Sequence, residues 1–197
     1  MRLIIILVLV VTIAAVGGVT LRPRIARAAM LPVGAPAPDF NSQVVSADGS
    51  APVSLGDFHG RILVLYFYPK DDTSGCTKEA CAFRDSYARF LAAGISILGC
   101  SIDTAKSHAA FIRKYHLPFP LLLDPGHKIA RAYGADNGIP ILGLDRRVTY
   151  VIGGDGRILK VYPDVDPATQ ATQILHDLSA DHPPTAAPAT PAPSPGT

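Results

Sequence analysis

Two cysteines five residues apart, Cys76 and Cys81, stand in the stretch Pro69-Lys70-Asp71-Asp72-Thr73-Ser74-Gly75-Cys76-Thr77-Lys78-Glu79-Ala80-Cys81-Ala82-Phe83-Arg84. A nucleophilic cysteine with a second thiol nearby is suited to reversible redox chemistry. The thiolate is the reactive form, and a helix N-terminus favours it, because the first backbone N–H groups lack intrahelical partners and the macrodipole is positive there. Thr73, three residues before Cys76, can turn its hydroxyl toward the sulfur or toward an oxygen bound beside it. Pro69 fixes the loop and offers no competing N–H. The alternative for Cys76 is an inert, buried small hydrophobe. The polar residues and Gly75 ahead of it argue against deep apolar burial.

The flanking elements supply that helix N-terminus. Ile62 to Tyr68 is a continuous apolar, β-branched and aromatic run ended by Pro69, which predicts a strand buried on both faces. From Cys76 to Phe90, the apolar residues Ala80, Phe83, Tyr87, Phe90 and Leu91 recur at three and four, predicting a helix. Upstream, Val44-Val45 and Val53 to Leu55 flank Asp48-Gly49, a hairpin signal. Downstream, Ile95 to Ile102 predicts a buried strand, Asp103 or Thr104 caps a helix running to about His116, and Leu121 to Leu123 predicts a short strand. Ile129 to Tyr133 predicts a short helix ended at Gly134. Strands at Val148 to Ile152 and Ile158 to Tyr162 are joined by Gly153-Gly154-Asp155-Gly156, and a last helix is expected over Ala168 to Ser179. The whole predicts an α/β chain with a central mixed β-sheet flanked by helices and an N-terminal β-hairpin.

The pattern Pro69-x-x-x-Thr73-x-x-Cys76 resembles the active-site signature of the peroxiredoxins, thiol peroxidases of thioredoxin-like fold. The longer string from Phe67 to Asp85 is similar to the bacterioferritin comigratory protein, or PrxQ, subfamily, with Ser74 where that subfamily often has proline. Gly34-Ala35-Pro36-Ala37-Pro38-Asp39-Phe40 also resembles the family's opening segment. The resemblance implies a thioredoxin-like fold, reduction of hydrogen peroxide and organic hydroperoxides, and recycling by thioredoxin or another dithiol reductant. It implies that Cys76 is the peroxidatic nucleophile and Cys81 the resolving cysteine, joined to it as an intramolecular disulfide. Five helical steps put their Cα atoms about 8 to 9 Å apart, beyond the roughly 7 Å that a disulfide spans. The helix must therefore unwind locally. Arg147-Val148-Thr149-Tyr150 resembles the family's Arg-x-Thr-Phe segment, making Arg147 the expected partner of the thiolate and the peroxide. Arg146 falls out of that register, and Lys78 and Glu79 are expected to support the helix start or face water.

Cys100, inside an apolar strand, is expected in the core. The six histidines are scattered, and none stands at ligand spacing from the cysteines, so neither a metal nor a cofactor is implied. Two further classes remain open: a disulfide oxidoreductase, weakened by the absence of Cys-x-x-Cys and of tryptophan, and a membrane-tethered redox sensor or binding module. The subfamily resemblance points to a monomer.

The 197 residues suit one domain with appendages. Arg2, Arg22, Arg24 and Arg27 account for the whole basic surplus, leaving 14 basic against 16 acidic side chains from residue 31 onward. Nucleic-acid binding therefore has little support. Leu3 to Leu21 is a run of nineteen uncharged residues, long enough to cross a bilayer. The division expected is a membrane anchor or signal peptide over 1–30, the catalytic domain over 31–180 and a disordered Pro/Ala-rich tail over 181–197. A membrane-anchored protein follows, with export after signal cleavage as the alternative.

Overall fold

The apolar run that begins at Ile62 becomes an inner strand of a seven-stranded sheet. The structure, a computed structural model, describes residues 29–136 and 144–181. In chain order the strands are β1 (Asn41–Ser46), β2 (Gly49–Ser54), β3 (Ile62–Phe67), β4 (Ile95–Ser101), β5 (Leu121–Leu123), β6 (Val148–Ile152) and β7 (Ile158–Tyr162). Their spatial order is β2-β1-β5-β4-β3-β6-β7. Strands β3, β4 and β5 run parallel, while β1, β2, β6 and β7 enter through antiparallel pairings. The sheet is therefore mixed, with the expected hairpin at one edge.

Period-two alternation divides β3 between two cores. Leu63, Leu65 and Phe67 face a cluster with Phe40, Cys100, Tyr133 and Tyr150. Val64, Tyr66 and the following Tyr68 face the other, with Cys76, Phe83, Phe90, Phe111 and Ile174. Helices α1 (Ser74–Ala92), α2 (Ala105–Tyr115) and α4 (Gln170–Asp181) cover this second face, and α3 (Lys128–Ala132) lies on the first.

The boundaries differ from expectation for local reasons. Helix α1 starts at Ser74, two residues early, because Thr73 takes the extended N-cap conformation and its carbonyl accepts from Thr77 N. Helix α4 starts at Gln170, because Asp166 gathers the preceding residues into a turn through Ala168 N and Thr169 N. Helix α3 is capped by the Asp124 carboxylate, which accepts from Lys128 N and Ala130 N. A 3₁₀ turn at Leu55–Phe58 has no counterpart in the sequence reading, being too short to show a period. No helix among the described residues is long and apolar enough to cross a membrane. The expected anchor at residues 3–21 and the tail from 182 onward lie outside the described residues.

Candidate active site

Strand β3 ends at Phe67, and the chain turns through Pro69 to Thr73 into α1 at the C-terminal edge of the sheet. Pro69 is half-buried, and Asp72 holds a left-handed conformation at φ +58°. Its carboxylate accepts from Lys114 Nζ and the Tyr115 hydroxyl at the end of α2. Thr73 is exposed, and its hydroxyl donates to the Lys70 carbonyl at 3.0 Å, bracing the loop rather than turning toward the sulfur.

Cys76 is the third residue of α1, so its N–H belongs to the unpaired first turn. Its side chain is only 2% exposed, against the expectation drawn from its polar neighbours. Those neighbours line the solvent side of the turn, while Cys76 and Ala80 point onto Tyr66 and Tyr68. Burial here is not apolar isolation. Arg147 Nη2 donates to Cys76 Sγ at 3.2 Å.

Arg147 reaches the sulfur because of the sheet register. It precedes β6, whose Val148 pairs with Phe67 at the end of β3. Thr149 pairs with Tyr66, and alternation puts Arg147 on the same face as Thr149. Arg146 turns away and donates to the Gly134 carbonyl.

Glu79 is the residue the sequence reading missed. It is fully buried, and Arg147 Nη1 donates to its Oε2. Burial raises its carboxyl to about 7, with the adjacent guanidinium pulling the other way. Burial acts to lower Arg147, but Glu79 and Cys76 beside it outweigh this and leave it raised. One planar guanidinium thus bridges a thiol and a carboxyl that lie three residues apart on one helix. Lys78 between them is exposed, as expected.

Cys81 is half-buried on α1, at an open groove between α1 and α4 that Lys78, Asp85, Ala168 and Thr172 also line. Both it and Cys76 are free thiols, separated by unbroken helix. Cys100 is fully buried in the opposite core, where burial, then Asp124 and Asp145, push its thiol up. Among the described residues no cluster of three or more His, Cys, Asp or Glu side chains could hold a metal ion.

Residues 33–161 match the AhpC/TSA family. The chain belongs to the AhpC/TSA family. This AhpC/TSA chain is 39% identical over 155 residues to Peroxiredoxin Bcp of Bacillus subtilis (strain 168), covering 75% of this chain and 96% of the relative. It is 49% identical over 111 residues to the chloroplastic Peroxiredoxin Q of Sedum lineare, covering 56% of this chain. The chain spans 59% of the length of that relative and 58% of the chloroplastic Peroxiredoxin Q of Oryza sativa subsp. japonica. Among solved structures it is similar to a PrxQ variant of Xylella fastidiosa, with TM-score 0.70 and 28% identity over 78% of this chain and 98% of the other. Peroxidoxin BcpB of Mycobacterium tuberculosis gives TM-score 0.69 and 31% identity over 77% and 99%. The thioredoxin-like fold and the PrxQ/Bcp resemblance both hold.

The localisation is corrected. The plant relatives are named as chloroplastic and the bacterial one as Bcp, and no helix among the described residues could cross a bilayer. The membrane-anchored reading, and the exported alternative, rested on the length of the apolar run at residues 3–21 and on the arginines that flank it.

Proposed function

We propose that this chain is a thiol peroxidase that reduces hydrogen peroxide and organic hydroperoxides with Cys76. The observation that carries the reading is the 3.2 Å contact from Arg147 Nη2 to Cys76 Sγ at the start of a helix. A fixed guanidinium and unpaired backbone N–H groups present positive potential to a sulfur anion and to the peroxide oxygen beside it. In the first step the Cys76 thiolate attacks one peroxide oxygen and the O–O bond breaks. Sulfur keeps that oxygen as a sulfenic acid, and the other leaves as an alcohol or water after taking a proton.

Cys81 then attacks the Cys76 sulfur. A disulfide forms and water departs, which requires α1 to unwind between the two residues. The groove beside Cys81 leaves that sulfur reachable. A dithiol reductant of the thioredoxin kind returns both thiols through a mixed disulfide and leaves as its own disulfide. Pro69 and Thr73 act as the frame of the loop. Since both cysteines belong to one helix, a monomer suffices for the cycle. The relatives named peroxiredoxin support this reading over a disulfide oxidoreductase or a redox sensor.

Stopped-flow oxidation of the reduced full chain by hydrogen peroxide tests it. Cys76→Ser should abolish single-turnover oxidation. Cys81→Ser should retain it but halt at a sulfenic acid that a dimedone-type reagent traps. Wild-type rates in Cys76→Ser would remove Cys76 as the nucleophile.

A further inference from the structure

The loop that carries Cys76 into α1 is tied down by a buried polar node that the reaction above does not use. Asp71, five residues before Cys76, is 6% exposed and turns its carboxylate into the core. Oδ1 accepts from the Tyr68 hydroxyl at 2.7 Å, at the end of β3. Oδ2 accepts from the Ser107 hydroxyl at 2.7 Å, and His108 Nδ1 stands 2.9 Å from it, both on α2. Asp71 N donates to Asp103 Oδ2 at 2.8 Å, and Asp103 is itself held by the Ser101 hydroxyl at 2.8 Å from β4.

His108 is the centre of this node on the α2 side. It is completely buried, with its second ring nitrogen 3.4 Å from the Leu122 carbonyl on β5. A carboxylate only accepts, so Nδ1 is the nitrogen that bears the proton toward Asp71. Charge-assisted bonds of this kind, shielded from water, are stronger than neutral ones. The other loop tether is weaker: Lys114 and Asp72 pair in the open, with side chains 57% and 48% exposed. The node thus fastens the start of the loop to α2 and β4 through buried hydrogen bonds.

We propose that His108 is a positioning residue which, through Asp71, keeps the Pro69–Thr73 loop stationary while α1 unwinds beyond it to join Cys76 to Cys81. The inference rests on the two-cysteine peroxidase reading. With the node intact, unwinding is confined to the segment after Asp71, and the helix re-forms on a fixed start when the disulfide is reduced. Without it the loop gains freedom, the unwound form is favoured by entropy, and the folded pocket is less populated. Peroxide attack, which needs the folded pocket, slows. Disulfide formation, which needs the unwound one, speeds up.

The test measures both rate constants on the full chain with hydrogen peroxide, following sulfenic acid and then disulfide by quenched-flow mass spectrometry. In His108→Leu the ratio of disulfide formation to peroxide attack should rise about tenfold, the scale of one buried charge-assisted hydrogen bond. His108→Asn, whose amide N–H can occupy the place of Nδ1, should restore most of the wild-type ratio. Ser107→Ala, which removes one donor to the same carboxylate and leaves the histidine in place, should move it the same way by about threefold, and this variant carries the test if His108→Leu does not fold. Lys114→Ala should leave the ratio unchanged.

Melting temperatures that fall while the ratio stays at the wild-type value in both His108→Leu and Ser107→Ala would overturn the assignment. So would equal behaviour of His108→Asn and His108→Leu, or a shift in Lys114→Ala as large as theirs. Failure of the wild type to oxidise at all would sink the peroxidase reading and this inference with it. An unchanged ratio in an active enzyme sinks the inference alone.

Discussion

Glu79 follows Cys76 by three residues on the buried face of α1, and the guanidinium of Arg147 donates to both. The carboxyl therefore holds one arm of the arginine while the other arm meets the sulfur. Two residues from one helix fix a third that arrives from the far side of β3.

Replacing Arg147 by lysine keeps the charge and loses the fork. An ammonium can satisfy Glu79 or approach Cys76, without the planar spacing that serves both. The second-order rate with hydrogen peroxide should fall about 100-fold, the scale of one lost oxyanion donor, while the melting temperature changes little. A rate within twofold of wild type would show that charge alone suffices.

Glu79 should make stability depend on pH. Its carboxyl titrates near 7 when folded, against an ordinary value of 4.5. Between these values the folded chain holds a proton that the unfolded chain has released, so the contribution of Glu79 is greatest below about 4.5 and is lost as pH rises through 7. The full change is of the order of 3 kcal/mol. Glu79→Gln should flatten this slope and, by releasing the arginine, slow peroxide attack about tenfold. Urea titrations of both proteins at pH 4.5, 6 and 8 decide; identical slopes would refute the assignment.

Joining Cys76 to Cys81 should unwind roughly two turns of α1. The oxidised chain should lose helical circular dichroism, and its amides over residues 74–82 should exchange faster with solvent, both reversing on reduction. Cys100→Ala, in the opposite core, should leave these changes intact. Oxidised and reduced chains with the same exchange over that segment would require a different resolving thiol.

Tyr66 and Gly99 form a tight pair. A Cβ at position 99 would lie 2.6 Å from the Tyr66 ring and hydroxyl and 2.8 Å from Leu121 Cδ2. Gly99→Ala should therefore destabilise by about 2 kcal/mol. Tyr66→Phe should be neutral or stabilising by up to about 1 kcal/mol, because the hydroxyl is buried with no partner among the described residues. It should also recover part of the Gly99→Ala loss, which a double-mutant cycle by thermal melting would measure.

Much of this arrangement is legible in local sequence. The β-branched run before Pro69 and the three-four spacing after Cys76 specify a strand and a helix whatever lies elsewhere, and period two separates Arg147 from Arg146. Glu79 is not legible in that way. A glutamate in the first turns of a helix reads as a solvated charge, and only a partner 68 residues away makes its burial tolerable. Asp71 is hidden for the same reason: it sits in a polar loop, and its histidine partner is 37 residues downstream. The burial of Cys76 depends on which side of the first turn meets β3, which the polar character of Asp71 to Ser74 does not reveal.

The antiparallel run of β6 beside β3 also sets an order in time. Arg147 lies 71 residues beyond Cys76, and two further strands, β4 and β5, are made before Val148 can close against Phe67. On the ribosome the thiol emerges long before its guanidinium. On the proposed mechanism, a half-made chain would carry the cysteine without the guanidinium beside it, and reactivity would begin when the sheet closes. The nascent protein would thereby be spared oxidation at Cys76 until it had the structure needed to recover from it.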